Sequence, residues 1–455
     1  MMQDGLLLAY YGDDFTGSTD ALEALTNSGV STVLFFETPD AQMLARFPGV
    51  RAVGLAGQAR SRDPAWMREH LAPALAALAW LGAPVLQYKI CSTFDSSPAI
   101  GSIGCAIDLG VPLMRGRWSP MVVGAPRLRR HQAFGHLFAV ADGEGHRLDR
   151  HPTMSRHPVT PMHESDLRMH LGAQTRRARA LVDFTQLKSG GADAALRAIT
   201  EAHAGEVPVV LIDVLDEETL REAGRLVWEQ RGAGLFSASS SGLDDALAAH
   251  WQASGLLAGR PPLPQAGAAD SGLAVVSGSC SPATAAQIAW AAGHGFAAQR
   301  LDIAPLLAGD ERAIGQVAEA AAQALARGHS PLLYTARGPD DPAVQAFDDS
   351  ARAAGLTRAE AAARTGQALA RVTRALLDRC PALRRVVVAG GDSSGEVASA
   401  LGVQALTMAA RLAPGAPLCR AASRDARRDG LELVLKGGQM GAEDFFGTAR
   451  DGVAK

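Results

Sequence analysis

Several functional classes are excluded by what this sequence lacks. Its five cysteines, Cys91, Cys105, Cys280, Cys380 and Cys419, form no CxxC pair. Neither a zinc site nor a disulfide framework is indicated, and the odd count and wide spacing fit a reducing compartment. Long hydrophobic runs are also missing. The longest, LAPALAALAWLGAPVL from Leu71, covers about 16 residues with two prolines, short of the roughly 18 to 20 that cross a bilayer. No basic segment precedes a cleavable apolar one, so no secretory signal is read and a cytoplasmic protein is expected. Charge of one sign is absent: 44 Lys and Arg stand against 47 Asp and Glu, a net charge of −3. With no basic patch interleaved with aromatics, nucleic acid and anionic membrane are not expected as partners. The twelve histidines contain no HExxH or other paired metal spacing.

What is present reads as a two-domain α/β protein. A chain of 455 residues exceeds the usual size of one core. Short apolar runs at Leu6–Tyr11, Thr32–Phe36, Val53–Ala56, Val85–Tyr88, Met121–Val123, Ala180–Asp183 and Val207–Ile212 alternate with Ala- and Leu-rich helical patterns. Strands apolar on both faces and separated by helices imply mostly parallel sheets covered by helices. The Pro- and Gly-rich stretch SGLLAGRPPLPQAGAADSG, residues 254–272, is the expected linker between an N-terminal α/β domain (1–253) and a C-terminal one (273–455). The alternation restarts beyond it, with strands at Leu273–Val276, Pro331–Thr335, Arg385–Val388 and Leu431–Leu435. Residues 128–170, rich in His, Arg and Pro, show little periodicity. A loop of that length serves a substrate or reaches a neighbouring subunit, as in a homodimer.

Chemistry concentrates at strand ends, where open α/β sheets bind ligands. The first strand runs into Asp13 and Asp14, followed by Thr16, Ser18, Thr19 and Asp20. Adjacent carboxylates on an extended chain point apart, so one faces the cleft and the other caps the next helix. A cleft carboxylate takes a proton from a substrate hydroxyl or holds Mg²⁺. A plain capped helix is the structural alternative. In QYKICSTFDSS, Lys89 ends an apolar strand ahead of Ser92, Thr93, Asp95, Ser96 and Ser97. A cation beside hydroxyls suits a sugar-acid carboxylate or a phosphate. Downstream, VVSGSCSPAT, VVVAGGDSSGEVASALG and LVLKGGQMG are three strands running into Gly-rich turns. Such turns let backbone approach phosphate, and three in one domain favour a nucleotide site. None is a P-loop or a Rossmann fingerprint. Cys280, without a His or Asn partner, reads as packing rather than a nucleophile.

Together these motifs resemble the four-carbon acid sugar kinases. GDDFTGSTDALEAL is similar to their ADDFTGATD signature. RHPVTPMHESDL, SGSCSPATAAQ, AGGDSSG, APGAPL and LVLKGGQMGAEDFF resemble, in order, HPLTPMxxSNL, SGSCSxxTxxQ, GGETSG, xPGVPL and LKSGNFGxxDFF. The resemblance implies ATP-dependent phosphorylation of the terminal hydroxyl of a small sugar acid such as threonate, erythronate or an oxo-tetronate. The N-terminal domain would hold the acid and the C-terminal domain ATP, with Mg²⁺. It implies nucleotide contacts from Ser279, Gly390, Gly391, Asp392, Ser393 and Gly438. Asp13 and Asp14 would be catalytic, and Lys89, Ser92, Thr93 and Asp95 would contact the substrate. One departure stands out. Where the family shows KKIDSTLRGNIG, this chain reads YKICSTFDSSPAIGSIG, with Phe94 and Asp95 in place of Leu and Arg. Losing a bidentate carboxylate clamp and gaining an acid alters the substrate preference, which brings in 3-oxo-isoapionate. A non-catalytic sugar-acid or nucleotide sensor is the alternative that the altered segment supports. A dehydrogenase or aldolase lacks its fingerprint here.

Overall fold

The computed structural model describes residues 5–141, 143–157, 159–257 and 263–453, and the side chains of Ala359 and Asp392 stand outside that description. The chain divides into two units, Met1–Pro262 and Leu263–Lys455. Of the stretch read as linker, 258–262 lies outside the described residues. Beyond it Ala266 donates to the Arg411 carbonyl at 2.7 Å and accepts from the Val453 amide at 2.9 Å, so the chain is already tied into the second unit there.

In the first unit the strands are β1 (Leu8–Gly12), β2 (Thr32–Phe35), β3 (Ala52–Ala56), β4 (Val85–Lys89), β5 (Ser119–Met121), β6 (Arg130–Ala133), β7 (His136–Ala141), β8 (Glu144–Arg147), β9 (Arg179–Val182), β10 (Val209–Ile212) and β11 (Leu235–Ser239). The order β11-β4-β1-β3-β2 is parallel throughout. All five strands are buried along their length, as two helix-covered faces require. A second parallel sheet runs β5-β10-β9. The 128–170 segment differs from the aperiodic loop read in the sequence, because β6, β7 and β8 form an antiparallel sheet within it. Its strands are only four to six residues long, and their frequent His and Arg obscure the alternation that buries Leu137 and Ala139. Asp213 fastens its first turn by accepting from the Phe134 and Gly135 amides at 2.5 and 3.0 Å.

The second unit contributes β12 (Ala274–Ser277), β13 (Phe296–Arg300), β14 (Ser330–Tyr334), β15 (Arg385–Ala389), β16 (Val403–Ala413), β17 (Ala416–Ser423) and β18 (Glu432–Lys436). The strands β18, β15, β12, β14 and β13 are neighbours in that order and parallel. The antiparallel pair β16–β17 turns at Pro414–Gly415, where Gly415 takes the positive φ of 73° that the second turn position needs. Small and polar residues fill this pair, so no apolar run announces it. Val275, Leu332, Val387, Val434, Ile288 and Phe446 centre the core.

Both units use one plan. From its first strand each chain passes to an edge strand, inserts the next strand between them, and then crosses to the other side. That gives the order 2-3-1-4 in each, with β11 or β18 flanking the fourth strand. The direction reverses between the first and fourth strands, which is where a parallel sheet opens a crevice at its carboxyl ends.

Candidate active site

In the first unit that crevice lies between β1 and β4, with Gly12 opposite Lys89 in the register. Asp13 and Asp14 leave β1, and the Asp13 amide donates to the Lys89 carbonyl at 3.0 Å. Asp14 caps the helix Phe15–Asn27: its Oδ1 accepts from the Gly17 amide at 2.7 Å and its Oδ2 from Thr16 Oγ1 at 2.9 Å. Asp13 points elsewhere and is 2% exposed. Arg60, on the single turn after β3, grips it with Nε to Oδ2 at 3.0 Å and Nη2 to Oδ1 at 2.6 Å, and reaches Asp14 Oδ2 with Nη1 at 2.7 Å. Burial raises the Asp13 carboxyl above the ordinary carboxylate range, against the pull of Arg60 and with a further push from Asp14.

Lys89 is 2% exposed. Its Nζ faces Asp20 Oδ2 at 3.6 Å. Arg127 bridges Asp20 and Asp245 at 3.3 and 3.4 Å. Burial alone would raise Asp20, but Lys89 and Arg127 together outweigh it and hold the carboxyl low. Gly17 sits in the middle: a Cβ there would stand 2.4 Å from Asp14 Oδ1 and 3.3 Å from both Arg60 Nη2 and Lys89 Nζ. Beneath the network Asp244 is fully buried, and burial pushes it far above the usual carboxylate range against the pull of Lys89.

The turn after β4 places the remaining candidates. Thr93 Oγ1 donates to Asp95 Oδ1 at 2.8 Å, so these two are bound to each other, and half-buried Ser92 precedes them. Phe94 between them adopts φ 59° with its ring fully buried, a strained backbone typical of sites that must hold one shape. The structure thus brings Asp13, Asp14 and Lys89 together and sets Ser92, Thr93 and Asp95 on the adjoining turn. Asp20 is part of the acidic stretch read after β1 without a role of its own, and Arg60, Arg127 and Asp244 escaped the sequence reading. Of these three, Arg60 left a trace, as an Arg four residues past the end of an apolar strand.

In the second unit the three glycine turns leave β12, β15 and β18, which are adjacent strands. Ser279, Gly390, Gly391, Ser393 and Gly438 therefore meet at one sheet end, while the Asp392 side chain lies outside the described residues. Gly278 is forced by contact, since a Cβ would come within 2.2 Å of Ser393 Oγ. Gly390 begins the helix Gly391–Ala400 at φ 121°, a backbone that favours glycine. Among the described residues no group of three or more His, Cys, Asp or Glu is placed to hold a metal ion. No helix among them is long and apolar enough to cross a membrane.

One parallel-sheet unit thus carries a carboxylate–cation crevice and the other converging glycine turns, the pairing that a two-domain sugar-acid kinase requires. Known proteins agree. A family model described as a sugar-binding N-terminal domain matches residues 8–247, and one described as a nucleotide-binding C-terminal domain matches residues 274–446. The 3-oxo-isoapionate kinase of Paraburkholderia graminis is 62% identical over 98% of this chain and 95% of its own. The 3-oxo-tetronate kinases of Burkholderia multivorans and Cupriavidus necator are 34% and 33% identical, each over 97% of this chain and 96% of theirs. Among solved structures, a Salmonella typhimurium LT2 protein superposes with a TM-score of 0.77 at 27% identity, covering 97% of this chain and 98% of that one. A Haemophilus influenzae protein gives 0.72 at 25%, with the same coverage. The chain belongs to the four-carbon acid sugar kinase family.

Proposed function

We propose that this kinase uses ATP and Mg²⁺ to phosphorylate the terminal hydroxyl of 3-oxo-isoapionate, with 3-oxo-tetronate, threonate and erythronate as poorer acceptors. The observation that carries the choice of acid is the full-length 62% identity to the Paraburkholderia kinase, against 34% and 33% for the two oxo-tetronate kinases. The turn Cys91–Ser96 supports it, because Asp95 stands where a cation would be expected for a simpler acid.

In this reading the acid lies over Gly17, with Lys89 and Arg60 facing its anionic end and Ser92, Thr93 and Asp95 its hydroxyls. Asp13 is the base that takes the hydroxyl proton. The fold commits Asp14 to the helix cap, whereas Asp13 is oriented by Arg60 and lifted by burial toward the range in which a carboxylate accepts a proton usefully. ATP is held by Ser279, Gly390, Gly391, Asp392, Ser393 and Gly438. Among the described residues no group forms a Mg²⁺ site of its own. Every oxygen of Asp13 and Asp14 already accepts from Arg60, Thr16 or Gly17. Mg²⁺ would therefore come on the ATP phosphates. A cytoplasmic location fits five cysteines that are all free. A homodimer fits the exposure of Phe134, Val159 and Met169 on the 128–170 segment, and light scattering of the purified chain checks it.

An ADP-release screen across the four acids tests the assignment. 3-Oxo-isoapionate should give the highest kcat/KM; equal or better turnover of 3-oxo-tetronate would overturn it.

A further inference from the structure

Four carbonyls of the loop after β18 are turned inward by buried side chains. The Gly438 carbonyl accepts from Thr284 Oγ1 at 2.8 Å, from Lys436 Nζ at 3.4 Å and from Ser281 Oγ. Gln287 Nε2 lies 2.9, 3.0 and 3.0 Å from the carbonyls of Met440, Gly441 and Ala442, which share its two N–H groups. Thr284, Gln287 and Lys436 are all 0% exposed. In a trans peptide the carbonyl and the next N–H point in opposite directions. Inward carbonyls at 438, 440, 441 and 442 therefore leave the amides of Gln439, Gly441, Ala442 and Glu443 facing out. None of the four donates a hydrogen bond among the described residues. Outward amides in succession form an anion cradle.

Beneath this loop lies Lys436, whose charge has no counter-ion among the described residues. Lys436 Nζ has the Thr284 hydroxyl at 3.2 Å and the Phe445 ring at 5.7 Å. Among the described residues none of β15, β17 and the helices Pro282–Ala292, Gly391–Ala400 and Phe445–Asp451 turns a charged or titratable group toward it, and burial lowers its pKa to about 8. A buried ammonium is costly unless an anion accompanies it.

We propose that Lys436 is a positioning residue of the nucleotide site: with Ser281 and Thr284 it fixes the Gly438 carbonyl inward, and so offers the amides that follow, above its own buried charge, to the phosphates of a nucleoside triphosphate. The proposal rests on the reading of the second unit as the ATP-binding half, but not on the identity of the acid.

Calorimetric titration of the full chain with the β,γ-imido analogue of ATP tests it, with no acid present. Unaltered protein should lose about ten-fold in affinity between pH 7 and 9, as a lysine titrating near 8 gives up its proton. Lys436→Met should bind about ten-fold more weakly or worse at pH 7 and show no pH slope over this range. Thr284→Val, which keeps the charge, should bind more weakly and retain the slope. Equal binding by Lys436→Met, with the same pH course as the unaltered chain, overturns the proposal. Should that variant not fold, a flat profile for the unaltered chain together with unchanged binding by Thr284→Val overturns it as well. No binding of the analogue by the unaltered chain overturns both this proposal and the ATP reading. A wrong choice of acid affects neither measurement.

Discussion

Replacing Arg60 by Met removes the partner of a carboxylate that is 2% exposed, and the structure sets the size of the effect. Two of the three lost hydrogen bonds end on Asp13 and one on Asp14, whose side chain is 25% exposed and so loses little. Breaking a buried pair from one side costs about 3–5 kcal/mol when the orphaned charge must stay charged. Here a proton can relieve it. Relative to an unfolded carboxyl of pKa about 3.9, at about 1.36 kcal/mol per unit, protonation costs about 4 kcal/mol at pH 7 but only about 1.5 at pH 5. Asp13 is already raised in the native protein, and the variant raises it further. A raised acid destabilises the fold increasingly as pH climbs above the unfolded value, so the deficit must grow with pH. We expect a loss of about 2–4 kcal/mol at pH 7 and about 1 at pH 5. Urea unfolding followed by tryptophan fluorescence reads this unit, since Trp66, Trp80, Trp118, Trp228 and Trp251 lie in it and Trp290 in the other. Adding Asp13→Asn to the variant should restore part of the loss. A deficit below about 1 kcal/mol at pH 7, or one equal at the two pH values, would refute the reasoning.

Asp13→Asn should lower kcat by about 10²–10⁴ while leaving nucleotide affinity intact. Asp14→Asn, which still accepts from the Gly17 amide, should keep most activity and nearly all stability; the reverse ranking in a steady-state assay would reassign the base. Gly17→Ala drives a Cβ to 2.4 Å from Asp14 Oδ1 and should cost about 1 kcal/mol through the lost cap. It should also raise KM for the acid but not for ATP. Gly278→Ala meets Ser393 Oγ at 2.2 Å and should act oppositely, weakening ATP binding in calorimetry with KM for the acid unchanged.

The parts legible in the sequence are those carried by contiguous residues. Strand runs ending in Asp13, Lys89, Ser279, Gly390 and Gly438 announce themselves because a buried parallel strand is apolar throughout and its carboxyl end is not. What stayed hidden depends on separation in the chain or on alternation too short to see. Arg60 lies 47 residues from Asp13, and nothing local marks it as that residue's partner. Asp244 reads as an ordinary first-turn acid of the helix Ser241–Ala253, and only burial reveals it as a strongly perturbed group. Lys436 precedes a glycine pair that draws attention to the backbone, while its role depends on a hydroxyl 152 residues earlier.

The shared strand order explains why two dissimilar sites are found at equivalent positions. In each unit the residues at the carboxyl ends of the first and fourth strands face one crevice: Asp13 and Lys89 in one, Ser279 and Gly390 in the other. No fixed-period repeat survives in the sequence, because topology constrains only burial and turn length, which many sequences satisfy. The strand ends are free to differ, and they do. One crevice carries paired charges suited to an acid with hydroxyls, and the other carries glycines that expose backbone amides to phosphate. Substitutions at strand ends should therefore change the ligand while leaving the fold in place, whereas those inside β1, β4, β12 or β15 should unfold the unit before they alter what it binds.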